Sequence, residues 1–313
     1  MPATPRILFA ASHERWDAYE APLRRALAAR GLEVEIGPDL GPPETIDYIV
    51  YAPNSGVQDF RPFTRLRAVL NLWAGVEGVV GNETLTVPLA RMVDSGLTEG
   101  MVEWVTGHVL RHHLNIDHCL AHQSGAWVRH VPPLARQRPV TVLGLGELGR
   151  ACAQALAGLN FPVTGWSRSP RDVPGIRCLS GADGLDAALA QAQIVVLLLP
   201  DTPATENVLN ARTLALPARG AVVLNPGRGP LIDDDALLAA LESGQIGHAT
   251  LDVFRTEPLP PEHPFWAHPR VTVTPHIASE TRCETAAEVI AENVRRGKAG
   301  EPFLHLVDRG RGY

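Results

Sequence analysis

Between an apolar run, Val140–Leu143, and a stretch of small residues, Arg150–Gly158, stands GLGELG at positions 144–149. Few six-residue segments restrict a fold as strongly. Glycines at that spacing suit a tight turn at the end of a strand, followed at once by a helix that lies close to the same strand. The chain on either side agrees, apolar before and small after. The segment therefore predicts a strand–turn–helix opening a parallel sheet covered by helices. Further short runs extend that sheet: Val163–Trp166, Ile194–Leu199, Ala221–Asn225, Ala249–Val253 and Val271–Thr274 read as strands with helices between them. Asp233 reads as the N-cap of a helix ending at Gly244.

The N-terminal third alternates in the same way. Arg6–Ala11 reads as a strand and Trp16–Arg30 as a helix closed by Gly31; Leu32–Ile36, Tyr48–Ala52 and Ala68–Leu72 read as further strands. Leu97–Leu120 gives one long helical pattern, followed by an arm rich in Trp, His and Pro, Gly125–Pro139, and Thr281–Lys298 a closing helix. At 313 residues the chain can bury two cores. The expectation is an α/β protein with two doubly wound parallel-sheet domains, Rossmann- and flavodoxin-like, with an active-site cleft between them. Residues 1–98 with 286–313 would form a substrate-binding domain and 99–285 a dinucleotide-binding domain, with the linking helix and arm at 99–139.

Several function classes are excluded at this level. A formal net charge of −6 offers no basic field for nucleic acid or an anionic membrane. The longest apolar run, Ile194–Leu199, is far too short to span a bilayer, and MPATPRILFAAS has no secretory pattern. Cys119, Cys152, Cys178 and Cys283 are scattered, as expected of free thiols in a reducing cytoplasm. His108, His112, His113, His118 and His122 have helical spacing, yet no HExxH or Cys partner accompanies them, so a polar helix face or subunit contact is expected rather than a metal. The acidic run Asp233–Asp235 reads as helix N-terminal charge.

A glycine turn of this kind, opening a helix, suits a dinucleotide pyrophosphate. Gly144 permits the turn, Gly146 the approach of the phosphates, and Gly149 the packing of helix on strand, while the helix start at Gly146, Glu147 and Leu148 offers amide N–H groups and a positive dipole end. The segment after the next strand then chooses the cofactor. NAD sites place an Asp or Glu there for the ribose hydroxyls. GWSRSP (165–170) places Ser167, Arg168 and Ser169 there instead, with Arg171 nearby. A guanidinium and hydroxyls bind a 2′-phosphate that a carboxylate would repel. The expected cofactor is NADPH.

Three later segments, NPGRG (225–229), LDVFRTEPLP (251–260) and VTVTPHIAS (271–279), each put a functional side chain just after a strand. Arg228, Glu257 and His276 supply an anion-binding guanidinium, a carboxylate and an imidazole acid–base, the set needed to reduce a 2-oxo acid. With NLWAGVEGV (71–79), LLLPDTPAT (197–205) and the closing VDRGRGY (307–313), the chain resembles the D-isomer-specific 2-hydroxyacid dehydrogenase family nearly end to end, and within it the glyoxylate/hydroxypyruvate reductase branch.

That resemblance implies roles. His276 would be the general acid, giving its proton to the carbonyl oxygen as hydride reaches carbon; Glu257 would hold the other ring nitrogen and stabilise the imidazolium. Arg228 would bind the substrate carboxylate and polarise the carbonyl. The backbone around Ala74, Gly75 and Val76 would cradle that carboxylate, and Tyr51 would present an aromatic to a small substrate. Thr205 would bond the cofactor phosphates and Asp252 fix the nicotinamide amide; Pro200, Pro226 and Ala278 complete the expected cofactor contacts. In one place the chain departs from the family pattern: Pro226–Gly227 replaces the usual small-residue pair before the catalytic Arg, which bears on the pose of Arg228. The long helix and arm, with Trp104 and Trp127, resemble the family's dimerisation surface, so a homodimer is expected. The leading expectation is NADPH-dependent reduction of glyoxylate to glycolate and hydroxypyruvate to D-glycerate. Its rivals are a reductase for a bulkier 2-oxo acid and a non-catalytic NADPH sensor.

Overall fold

The structure, a computed structural model, describes residues 4–312. In chain order its regular elements begin β1 (Arg6–Ala10), α1 (His13–Ala29), β2 (Glu35–Gly37), β3 (Tyr48–Tyr51), β4 (Ala68–Asn71), α2 (Glu77–Val80) and β5 (Leu89–Ala90). Then come α3 (Ser95–His113), α4 (Ile116–Ala121), β6 (Val140–Leu143), α5 (Glu147–Gly158), β7 (Val163–Ser167), β8 (Arg177–Ser180) and α6 (Gly181–Leu189). The chain closes through β9 (Ile194–Leu197), α7 (Ala211–Leu214), β10 (Ala221–Asn225), α8 (Asp234–Glu242), β11 (Ile246–Leu251), α9 (Pro264–Ala267), β12 (Val271–Val273) and α10 (Cys283–Ala299).

The chain divides into two compact units, one running up to Leu97 and resuming at Glu280, the other Thr98–Ser279. In the first, five strands lie in the order β2-β1-β3-β4-β5, all parallel. Its inner strands β3 and β4 are buried at every position because both faces are covered. Along β3, Tyr48 and Val50 face α1 and α10, while Ile49 and Tyr51 face a second core with Phe60, Leu66 and Val79. Each fully buried aliphatic side chain contributes about 1.5–3 kcal/mol. Residues 280–285 group with this unit, six residues earlier than the sequence reading placed the return. Thr281 Oγ1 donates to the Leu72 carbonyl at 3.1 Å, and Thr285 Oγ1 to Asp94.

In the second unit seven parallel strands lie in the order β12-β11-β10-β9-β6-β7-β8. The direction of progression reverses between β6 and β9, the switch point where doubly wound sheets open a crevice at the carboxyl ends of the strands. Alternate residues of β9 again serve two cores: Ile194 and Val196 meet α3 and α5, Val195 and Leu197 meet α6 and α8.

Several elements differ from the sequence reading. The Leu97–Leu120 pattern is two helices, broken where Asn115 takes φ 56°, a left-handed conformation that Asn tolerates. The strands β5 and β8 are additional; β5 has two residues and β8 is only partly buried, so neither carries an apolar run. The strand expected at Leu32–Ile36 starts later, at Glu35.

Candidate active site

Every candidate residue of the second unit stands at one edge of its sheet, just beyond the carboxyl end of a strand. In spatial order the loops after β12, β11, β10, β9, β6 and β7 carry His276, Glu257, Arg228, Pro200–Thr205, the glycine turn and Ser167–Ser169. Neighbouring strands are about 4.8 Å apart, so Arg228 and His276 start two strands, roughly 10 Å, from one another.

The glycine turn has the form its sequence requires. Gly144 has φ 107°, and a Cβ there would lie 2.4 Å from the Leu198 carbonyl oxygen; a Cβ on Gly149 would lie 1.8 Å from the Gly144 oxygen. Gly146, the N-cap of α5, has open space on its Cβ side. Gly146 and Glu147 are exposed, and Leu148 packs against the core beneath. The orphan N–H groups of the first turn thus face an open approach at the switch point, which fits a pyrophosphate. Glu147 pairs sideways with Arg150 at 2.8 Å.

Beyond β7, Ser167 Oγ donates to the Ser169 carbonyl at 2.8 Å, curling the segment so that Arg168 stands exposed at its tip. Pro200 and Thr205 form a closed turn. Thr205 Oγ1 donates to the Pro200 carbonyl at 2.7 Å and accepts from Thr202 N at 3.0 Å, so its hydroxyl shapes the loop rather than standing free for a phosphate.

After β10, Pro226 is buried and Gly227 passes so close to β9 that a Cβ would lie 2.8 Å from the Leu197 oxygen. That contact explains the glycine of the unusual Pro226–Gly227 pair. Arg228 is extended (φ −145°, ψ 143°), with Nη1 donating to the Gly227 carbonyl at 2.7 Å. The sequence reading missed the residue that fixes this loop. Asn225, 1% exposed, accepts from Gly227 N at 3.1 Å and donates to the Arg228 carbonyl at 2.9 Å. Its signal in the sequence was a polar residue ending an apolar strand.

The acid–base pair is assembled directly. His276 Nδ1 lies 2.7 Å from Glu257 Oε2, while Glu257 Oε1 accepts from Phe254 N at 2.9 Å. A carboxylate accepts, so Nδ1 carries the shared proton and the tautomer leaves Nε2 at the exposed end of the ring. His276 also has φ 52°, a conformation costing an L-residue about 1–2 kcal/mol. It is held there by its N–H, which donates to the Asp252 carbonyl at 2.8 Å.

The Asp252 carboxylate completes the clamp. It is 1% exposed, and accepts from Thr274 Oγ1 at 2.6 Å, Ile277 N at 2.9 Å and Ala278 N at 2.9 Å. Asp252 therefore anchors the histidine loop. The N–H of Ala278 is committed to it, and the Ala278 side chain belongs to the core, so Ala278 is not an open cofactor contact.

In the first unit, Ala74, Gly75 and Val76 follow β4, and Val76 is the N-cap of α2. Their N–H groups meet no acceptor among the described residues. Tyr51 is a correction: its ring is 1% exposed, 5.5 Å from Phe60, in the core rather than at an open face. Burial pushes its phenol above the ordinary range.

Sheet order, phosphate turn and an imidazole–carboxylate pair at one strand edge are the marks of a dinucleotide-dependent dehydrogenase. A family model fixes the lineage more narrowly. The model for D-isomer specific 2-hydroxyacid dehydrogenase, NAD binding domain, matches residues 107–278, and the chain belongs to that family. It is 41% identical over 257 residues to the glyoxylate/hydroxypyruvate reductase A of Serratia proteamaculans, covering 80% of this chain and 82% of that protein. Among solved structures, a D-isomer specific 2-hydroxyacid dehydrogenase from Xanthobacter autotrophicus Py2, in complex with NADPH and MES, matches with TM-score 0.92 and 41% identity over 99% of this chain and 100% of that one. The NADPH-dependent glyoxylate/hydroxypyruvate reductase of Sinorhizobium meliloti, in complex with NADP and sulfate, matches with TM-score 0.84 and 34% identity over 99% and 100%.

Proposed function

We propose that this protein reduces glyoxylate to glycolate and hydroxypyruvate to D-glycerate with NADPH. The single observation that carries the chemistry is the His276–Glu257 pair, held on a strained loop at the sheet edge that also bears the phosphate turn. When bound, the nicotinamide supplies a hydride to the carbonyl carbon. The imidazolium form of His276 gives its Nε2 proton to the carbonyl oxygen, Glu257 stabilises that cation through Nδ1, and solvent restores the proton afterwards. Arg228 takes the substrate carboxylate and draws electron density toward the carbonyl oxygen. In the first unit, the amides of Ala74, Gly75 and Val76 form an anion nest suited to a carboxylate. Gly144–Gly149 receives the pyrophosphate, and Ser167, Arg168 and Ser169 the 2′-phosphate. The relatives bound to NADPH or NADP support that cofactor.

The working form in this reading is a homodimer joined through the arm after α3. Free thiols at Cys119, Cys152, Cys178 and Cys283 suit a cytoplasmic setting. Among the described residues no helix is long and apolar enough to cross a membrane.

Purified protein mixed with NADPH and a panel of 2-oxo acids tests the activity. Loss of nicotinamide absorbance is expected with glyoxylate and hydroxypyruvate, and slower loss with phenylpyruvate and branched acids. Tight NADPH binding with no turnover on any acid would replace the enzyme with a sensor. Arg168→Ala is expected to raise the KM for NADPH about tenfold and leave that for NADH nearly unchanged; an unaltered preference would remove Arg168 from the cofactor site.

A further inference from the structure

β4 is an interior strand of the first sheet, and its residues Ala68, Val69 and Leu70 are all buried and apolar. Its last residue is not. Asn71 is 1% exposed, a carboxamide at the end of an otherwise apolar strand. The carboxamide is also half satisfied: Oδ1 is buried with no partner among the described residues. Such a group is costly to bury, so its retention asks for a reason.

The reason is at the other end of the amide. Nδ2 donates one hydrogen to the Trp73 carbonyl at 2.8 Å and the other to the Gly75 carbonyl at 2.9 Å. Turning the amide over would set Oδ1 against two carbonyl oxygens, so the orientation is determined. The Trp73 carbonyl also accepts from Met92 N at 3.0 Å, and the Leu72 carbonyl from Thr281 Oγ1 at 3.1 Å. The carbonyls of Leu72, Trp73 and Gly75 are thereby held by the body of the unit.

A trans peptide is planar, with its C=O and N–H pointing in opposite directions. The peptides Trp73–Ala74 and Gly75–Val76 are trans. Fixing the oxygens of Trp73 and Gly75 therefore aims the N–H groups of Ala74 and Val76 the opposite way. Those N–H groups, with that of Gly75 between them, are the ones without an acceptor.

We propose that Asn71 is a positioning residue for substrate recognition: its carboxamide sets the peptide planes of residues 73–76 so that their amides present a preformed site to a carboxylate. The inference rests on the reading of 74–76 as the substrate's anion nest. Preformed donors cost no reorganisation on binding, so losing the bracket weakens carboxylate capture while leaving the proton donor intact.

Asn71→Leu, nearly isosteric and without donors, tests this in the full-length protein. The KM for glyoxylate and the inhibition constant of oxalate, an unreactive dicarboxylate, are expected to rise together by about tenfold. The KM for NADPH and kcat should stay within about threefold. Unchanged values for glyoxylate and oxalate would overturn the proposal, as would a fall in kcat alone. Should Asn71→Leu not fold, amide exchange of the unaltered protein decides: saturating oxalate is expected to slow exchange at 74–76, and no slowing there refutes the role. Failure of the unaltered protein to reduce any 2-oxo acid would count against the proposed activity instead. The oxalate measurement separates the two, because it needs no turnover.

Discussion

His276 pays in backbone strain for its position, and Asp252 is what keeps it there. One buried carboxylate accepts from three donors of the 274–278 loop, and its own carbonyl takes the histidine N–H. Removing the imidazole and loosening its anchor should therefore look different. His276→Ala removes the proton donor without disturbing the loop, and is expected to lower kcat/KM by about a hundredfold or more; near-normal activity would mean that another group donates the proton. Asp252→Asn keeps the shape but turns one acceptor into an N–H₂ that faces a donor. The loop should slacken, with kcat down about tenfold and stability reduced by about 1–3 kcal/mol. The KM for NADPH should hold within about threefold. A large rise in that constant with kcat preserved would return Asp252 to the cofactor and contradict the anchoring role.

At the scale of elements, the glycine turn and the long apolar strands were legible, because a parallel strand buried on both faces leaves a continuous run of β-branched residues. What escaped lacked that signature: β5 is too short, β8 too exposed, and the break at Asn115 depends on one left-handed residue inside an unbroken helical pattern. The acid–base residues were legible as types, whereas the carboxamides of Asn71 and Asn225 act on backbone carbonyls and amides that no side-chain pattern reveals. The α3 histidines were expected to form a polar helix face or subunit contact, and their packing shows another consequence. His112 lies against His248 of β11 with ring centres 4.7 Å apart, and their Nε2 atoms meet Thr250 and Thr272. Burial first, then His248, Arg111 and His108 against Asp117, depresses His112 to about 3; burial, then Arg111, His268 and His108 against Asp117, depresses His248 to about 4. Both are neutral in the folded protein where the unfolded chain, with ordinary imidazoles near 6.5, already takes up protons. Their stabilising effect is thus complete above pH 6.5 and lost as pH falls toward 4 and then 3. Each can add up to about 1.4 kcal/mol per pH unit to the slope. The urea midpoint should fall between pH 7 and 5, and His112→Asn should flatten that fall; an identical slope in the variant would show that the pair does not titrate with unfolding.

For the molecule as a whole, the largest unexplained apolar surface is the segment after α3. Leu120, Val131 and Leu134 are more than half exposed, and the Trp127 indole is 97% exposed. A monomer gains nothing from presenting an indole and several aliphatic side chains to water along one short stretch, and apolar patches of that kind mark association surfaces. In the proposed homodimer a second copy of the chain covers it, since a two-fold contact lets each arm cover the same patch on its partner. Tryptophan is also the residue most often found to dominate such contacts. Light scattering at micromolar concentration should therefore give twice the chain mass, and Trp127→Glu combined with Leu120→Glu should give the single mass. Because Leu120 and Trp127 belong to neither core of the second unit, the monomeric variant should keep its folded circular dichroism and its affinity for NADPH. An unaltered protein that runs as a monomer would refute the dimer outright. A double variant that still runs as a dimer would move the contact away from the arm.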